Sequence, residues 1–161
     1  ELERFLDLPR RLPHVRLELA TGPGHRERTP VARLRAHGWR VRDAARLCPD
    51  PGRYRRYIQR SRGEWSVAKN GYVTGRAGWF SERSACYLAA GRPVIVQDTD
   101  FPDDLRRGAG IVPFSTLDEA VEALNEVERD YARHAAAARA IAEECFRADI
   151  VLRSLVERAL G

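Results

Sequence analysis

The stretch GEWSVAKNGYVTGRAGWFSERSACYLAAGRPVIVQD, Gly63 to Asp98, constrains the fold more than any other part of the chain. A short β-type run, Glu64 to Ala68, leads into a loop bearing Gly and Lys. Ser81 opens a helix that Gly91 closes, and Pro93 precedes a continuous apolar run, Val94 to Gln97. A run that short, set between a helix stop and Asp98, reads as a strand covered on both faces. Strand, loop, helix and strand in this order make a parallel crossover, since two strands joined through a helix run the same way. In such a sheet the loop and the helix N-terminus meet at the carboxyl edge of the strands, where open α/β sheets bind their ligands. Unpaired N–H groups and the positive dipole end at the helix start suit a phosphate there. Lys69, Arg76 and Arg83 lie in or beside the loop, so a phosphate-bearing ligand is expected.

The flanking sequence extends the same pattern. Leu2, Phe5, Leu6 and Leu8 stand near helical spacing and Pro9 is expected to stop that helix, while Val15, Leu17 and Leu19 alternate as a strand. A parallel sheet would normally place a strand before the first helix; none is present, which suggests a truncated first β-unit or a helix borrowed from an adjoining domain. Thr21 to Pro30 concentrates Gly, Pro and charge as a mobile surface loop, and Thr29-Pro30 opens a helix through Leu34 that Gly38 ends before a strand at Trp39 to Val41. After a turn at Cys48 to Gly52, Tyr54, Tyr57 and Ile58 form the apolar stripe of a helix whose other face carries Arg53, Arg55, Arg56 and Arg60. Gly108 to Phe114 supplies another strand, and Ser115 or Thr116 caps a helix with Leu117, Val121, Leu124 and Val127. Tyr131 to Phe146 is an Ala-rich helix, and Asp149 is expected to cap a last one carrying Ile150, Leu152, Leu155 and Val156. The expected architecture is a three-layer α/β Rossmann-like sandwich, with one mostly parallel sheet of about five strands and a helical C-terminus.

The series SRGEWSVAKNGYV, GWFSERSACYLAAGRPVIVQDTD, GAGIVPFSTLDEAVEALNEV and DYARHAAAARAIAEECF resembles, in that order, the nucleotide-sugar half of bacterial glycosyltransferases with the GT-B fold, of the group 1 and family 4 kind. The likeness runs from about Trp39 to the C-terminus. It implies a single donor-binding domain, with an N-terminal acceptor-binding domain absent from this chain, and a sugar transferred from a nucleoside diphosphate to an acceptor. At 161 residues the chain suits one such domain and is too short for the two a complete enzyme of that fold needs. It begins at Glu1 and contains no Met, as an excised piece or a processed N-terminus would.

Transfer from such a donor requires that charge developing on the β-phosphate be neutralised. The resemblance implies Lys, Arg and a helix terminus for this, with no bound metal and no cofactor beyond the sugar nucleotide. The candidates are Lys69, Arg76, Ser81, Arg83 and Ser84 for phosphate, and Glu82, Asp98 and Thr99 for the rest of the donor; a plain N-cap is the alternative for Ser81, and a solvated loop residue for Lys69. Trp79 and Phe80 stack on a base or belong to the core. Many enzymes of the resembling group carry a pair of glutamates where this chain has Gly78 and Cys86, and a glycine where it has Asp100. A non-catalytic nucleotide-binding or assembly module of the same fold is therefore the alternative function.

Charge adds a third class. The formal charge is +5 and Lys69 is the one lysine among 28 basic residues. Arg53 to Arg60 is the best candidate for contacting nucleic-acid phosphates, with Tyr54 or Tyr57 stacking on bases, although no nucleic-acid motif accompanies it and no specific nucleic-acid partner is expected. Cys48, Cys86 and Cys145 are odd in number and outside any C-x-x-C pair, which reads as reduced thiols, with burial expected for Cys86. The four histidines show no metal-ligand spacing, and no apolar run is long enough to span a bilayer, so a cytoplasmic protein without a metal is expected.

Overall fold

A computed structural model describes residues 1–22, 30–103, 105 and 108–161. A 3₁₀ turn, Leu2–Phe5, leads into α1 (Leu8–Arg11), followed by β1 (Glu18–Thr21), α2 (Val31–Ala36), β2 (Arg40–Asp43), α3 (Ala44–Leu47) and α4 (Pro51–Arg60). The central unit is β3 (Glu64–Ser66), α5 (Asn70–Thr74), α6 (Glu82–Ala89) and β4 (Val94–Gln97). β5 (Ile111–Phe114) and the helices α7 (Leu117–Arg129), α8 (Tyr131–Cys145) and α9 (Ala148–Leu160) complete the chain.

All the strand pairs are parallel; helices lie between β1 and β2 and between β3 and β4, whereas the connection from β4 to β5 carries no helix among the described residues. They do not form the single sheet expected from sequence. β1 pairs with β2, and β3, β4 and β5 form a second set in that order, with no ladder joining β1 to β3 among the described residues. Helices cover both faces. On β4, Ile95 belongs to one apolar cluster with Phe5, Leu34, Trp39 and Leu124, whereas Val94 and Val96 belong to another with Ile58, Leu88 and Ile141. This period-two division makes three layers and explains why β4 is buried along its whole length.

Local chemistry sets the boundaries. Thr116 and Glu119 form a reciprocal capping box at the start of α7. Asp50 and Ser81 cap α4 and α6 through the N–H groups of Arg53 and Arg83. Gly91 follows α6 at φ +65, the left-handed turn that ends a helix.

Several expectations are corrected. Pro9 lies in the first turn of α1, where its missing N–H costs nothing, instead of stopping a helix. β1 begins at Glu18, later than the alternation from Val15 implied, and β3 ends at Ser66, short of Ala68. Arg147 occupies the N-cap position of α9, with Asp149 in its first turn and bonded to the Arg147 guanidinium. Cys86 is exposed, because α6 buries Ser84, Tyr87 and Leu88 and so turns residue 86 outward. The apolar stripe of α9 is also exposed: Leu155 is 61 % accessible. Most of the loop expected at Thr21 to Pro30, with Thr29, lies outside the described residues.

Candidate functional site

The carboxyl edge of β3 and β4 is built from side-chain hydrogen bonds that reach past the ladder. The Ala68 N–H donates to Gln97 Oε1 at 3.1 Å, which keeps the chain beside β4 after β3 has ended. Gln97 Nε2 donates in turn to Glu1 Oε2 at 2.5 Å, and Gln97 is only 3 % exposed. That hydrogen bond, with lesser help from Arg4, holds the Glu1 carboxyl below the usual range despite the opposing effect of desolvation. Neither Gln97 nor Glu1 was a sequence candidate; the signal was a polar residue closing an otherwise apolar strand.

Lys69 is the extended residue immediately before α5 and is exposed, its ammonium 5.8 Å from the Tyr72 ring centroid. The Tyr72 ring stacks on Trp79 at 5.2 Å. The Gly78 N–H donates to Thr99 O at 2.8 Å, and Thr99 Oγ1 donates to Trp79 O at 2.7 Å. Thr99, almost fully buried, thus anchors the loop to the end of β4 and turns its hydroxyl inward. Phe80 packs on Phe101 and Phe146 in the core.

At the start of α6 the Ser81 side chain accepts from the Arg83 N–H at 3.2 Å, so Ser81 is a cap and consumes one helix N–H. Ser84 is 1 % exposed, and its Oγ has no hydrogen-bond partner. It faces a cavity of about 10 Å³ behind the helix start, room for about one water and nothing larger. Glu82 is exposed in the first turn. Asp98 Oδ1 accepts from the Asp100 N–H at 2.8 Å, forming an Asx turn as the chain leaves β4.

The arginines are differently disposed. Arg83 Nε donates to Glu64 Oε1 at 2.5 Å, which draws it toward the amino end of β3 and away from the ligand edge. Burial opposes the Arg83 charge, but Glu64 outweighs it and raises the guanidinium above its ordinary range. Arg76 is ion-paired with Asp100. The structure therefore brings Lys69, Arg76, Glu82 and Asp98 to the carboxyl edge, while Ser81 and Thr99 are engaged in structural hydrogen bonds there, Ser84 is buried behind the helix start and Arg83 is turned away to Glu64.

A family model described as glycosyl transferase-like matches residues 3–157, nearly the whole chain. The chain belongs to the glycosyl transferase-like family. Neither the curated protein sequences nor the solved structures give a significant match. Membership in this family assigns the chain to glycosyl transfer and agrees with the mixed α/β architecture of parallel ladders and a helical C-terminus. Among the described residues, no three His, Cys, Asp or Glu side chains converge as metal ligands, and no helix is long and apolar enough to cross a membrane. On α4 of this glycosyl transferase-like domain, Tyr57 donates its hydroxyl to Glu18 Oε1 at 3.1 Å. That hydrogen bond directs the ring toward β1 and not toward the arginine face, and burial, then the Glu18 charge, pushes the Tyr57 phenol well up.

Proposed function

We propose that this glycosyl transferase-like chain binds the diphosphate of a nucleotide-sugar donor at the carboxyl edge of β3 and β4, as the donor half of a GT-B-type enzyme. A second domain would supply the acceptor side. The observation that carries this reading is the charge balance at the edge. Arg76 is neutralised by Asp100 and Arg83 by Glu64, whereas the Lys69 ammonium has no carboxylate partner among the described residues. A compact ammonium beside a helix start is the arrangement that stabilises a departing nucleoside diphosphate, at about 3 kcal/mol for each such preorganised donor. In this reading Glu82 and Asp98 accept from ribose hydroxyls, and Lys69 and the start of α6 take the leaving-group charge in place of a metal.

Calorimetry with UDP, GDP and dTDP tests the proposal. One of the three should bind, Lys69→Ala should weaken it by about 1.5–3 kcal/mol, and Arg53→Ala on α4 should leave it unchanged. Absence of heat with all three nucleotides would end the donor reading. The second reading, a nucleotide-binding module without transfer, draws on Gly78 and Cys86 standing where resembling enzymes carry glutamates. Binding without turnover of the matching sugar nucleotide by the complete protein would favour it.

A further inference from the structure

The positive charge of the chain is concentrated in one stretch. Between residues 40 and 62 stand eight arginines and two aspartates, a formal charge of +6, against +5 for all 161 residues, so the remaining residues are together slightly negative. An asymmetry of that kind marks a segment suited to an anionic partner. The stretch is one structural unit, the edge strand β2 with α3 and α4.

The fold turns these arginines to one side. Val41 enters the first apolar cluster, so the pleat of β2 aims Arg40 and Arg42 at the opposite face, where Glu18 of β1 meets them at 3.2 and 3.6 Å. That face is the one α4 covers: Ile58 and Tyr54 pack into the second apolar cluster, and Tyr57 donates its hydroxyl to Glu18. The outer side of α4 holds Arg53, Arg55, Arg56, Gln59 and Arg60, all exposed, and the helix contains no acid. Arg53, Arg56 and Arg60 follow one another at i, i+3 and i+7, a row about 10 Å long. Arg53 is 3.9 Å from Asp50, whose carboxylate also caps the helix, whereas Arg55, Arg56 and Arg60 have no carboxylate partner among the described residues.

We infer that the outer face of α4, with Arg40 and Arg42 beside it, docks electrostatically on an anionic lipid surface. Guanidinium groups pair with phosphate oxygens, and four or more basic residues clustered on an amphipathic helix are the pattern that holds a protein to acidic headgroups. A nucleic acid offers the same phosphates, but the rings that would stack on its bases are engaged elsewhere. Tyr57 is bonded to Glu18, and Tyr54 is packed against the second apolar cluster. Arg53 and Arg55 stand about 160° apart around the helix. The charges are therefore spread over a broad convex face, which a plane of headgroups meets more fully than the cylinder of a duplex does. The apolar side of α4 is buried in the domain, so the contact is superficial and ionic, each arginine strengthening it about fivefold.

The test is cosedimentation of the 161-residue chain with vesicles of phosphatidylcholine containing about 30 % phosphatidylglycerol, at about 0.1 M salt. The chain should bind these vesicles and not vesicles of phosphatidylcholine alone. It should leave them at about 1 M salt, where the screening length falls to about 3 Å. Arg55→Gln, Arg56→Gln and Arg60→Gln together should weaken binding about a hundredfold. Arg55→Lys, Arg56→Lys and Arg60→Lys together should preserve it, because the surface reads charge and not the guanidinium fork. Arg129→Gln, Arg153→Gln and Arg158→Gln remove as much charge from exposed positions outside the unit and should weaken binding by about threefold at most. Binding to neutral vesicles, equal losses from the two glutamine variants, or loss on the lysine exchange would overturn the inference. So would tighter binding, at equal phosphate, to a mixed DNA duplex or a single-stranded RNA, which would give the face to nucleic acid.

Discussion

Arg76 and Asp100 both adopt left-handed backbone conformations, at φ +46 and +64, and their side chains meet in a two-pronged ion pair of 2.8 and 3.3 Å. Neither residue is glycine, and positive φ costs each of them on the order of 1 kcal/mol. The pair is exposed, and an exposed pair returns at most about 1 kcal/mol, so it does not offset the strain by itself. Its larger consequence is electrostatic, because Asp100 cancels a guanidinium at the edge where a diphosphate is proposed to bind.

Replacing Asp100 should therefore favour the ligand. Two unit charges about 8 Å apart in a partly solvated edge, at an effective dielectric near 40, interact by about 1 kcal/mol. Asp100→Asn should tighten nucleoside diphosphate binding by about that amount, roughly fivefold. Asp100→Gly should do the same without lowering the melting temperature, since it also removes the strained φ. Titration of both variants checks this; unchanged affinity would place the pair outside the ligand site.

Arg83 should matter for stability instead. The Glu64 carboxylate is nearly buried, and Arg83→Ala strands it there. Breaking a buried pair costs about 3–5 kcal/mol, but the Arg83 side chain is 44 % exposed, so water reaches the pair and about 2 kcal/mol is expected. Adding Glu64→Gln should recover part of that loss. Urea unfolding of the single and double variants measures it, and nucleotide affinity of the folded fraction should not move.

Two glycines should respond differently to the same change. A methyl on Gly91 would stand 3.7 Å from its nearest neighbour, an ordinary contact, so Gly91→Ala should cost only the left-handed backbone, about 1 kcal/mol. On Gly110, at φ +92, the methyl would stand 2.7 Å from the Ala138 backbone nitrogen. Backbone cannot swing aside, so Gly110→Ala should cost several kcal/mol, about 3 or more, by displacing α8 from β5. Thermal unfolding of the pair decides it.

Alkaline stability should depend on Tyr87. Burial raises its phenol to about 12, against a smaller opposing effect of its hydrogen bond with Ser61. The unfolded chain releases this proton near pH 10 and the folded chain near 12, so stability is full below 10 and falls as pH rises through that interval. Between pH 9 and 11.5 the Tyr87 share of the loss should be about 2 kcal/mol. Tyr87→Phe should lose correspondingly less over the same range in denaturant titrations, Tyr57 contributing equally to both proteins.

What the sequence disclosed follows from which signals are local. Val94 to Gln97 was legible because a continuous apolar run after a helix stop has few other interpretations, and the capping role of Ser81 because it is set within one turn. The partner of Arg83 was not, since Glu64 is brought to it only when β3 packs beneath α6. The same holds for Arg76 and Asp100, which two separate loops bring together. Alternation at Val15 to Leu19 announced a strand but not its neighbours, so the separation of β1 from β3 was invisible. The outward turn of Cys86 could have been read from the spacing of Ser84, Tyr87 and Leu88. For α9, periodicity gave the apolar face and nothing about what that face meets.

The exclusively parallel ladders also bear on how the chain reaches this structure. No two paired strands can be joined by a tight turn: Glu64 finds Val94 only after 30 residues, and Val94 finds Ile111 after 17. The entropy of closing those two loops differs by only about 0.5 kcal/mol, too little to rank them. The β1–β2 and β3–β4 ladders must wait for helices to be laid across the sheet and the β4–β5 ladder for a long connection, so contacts distant in sequence dominate the transition state. Folding then belongs to the slower range of mixed α/β domains, with β-edges open to other chains until the crossovers are complete.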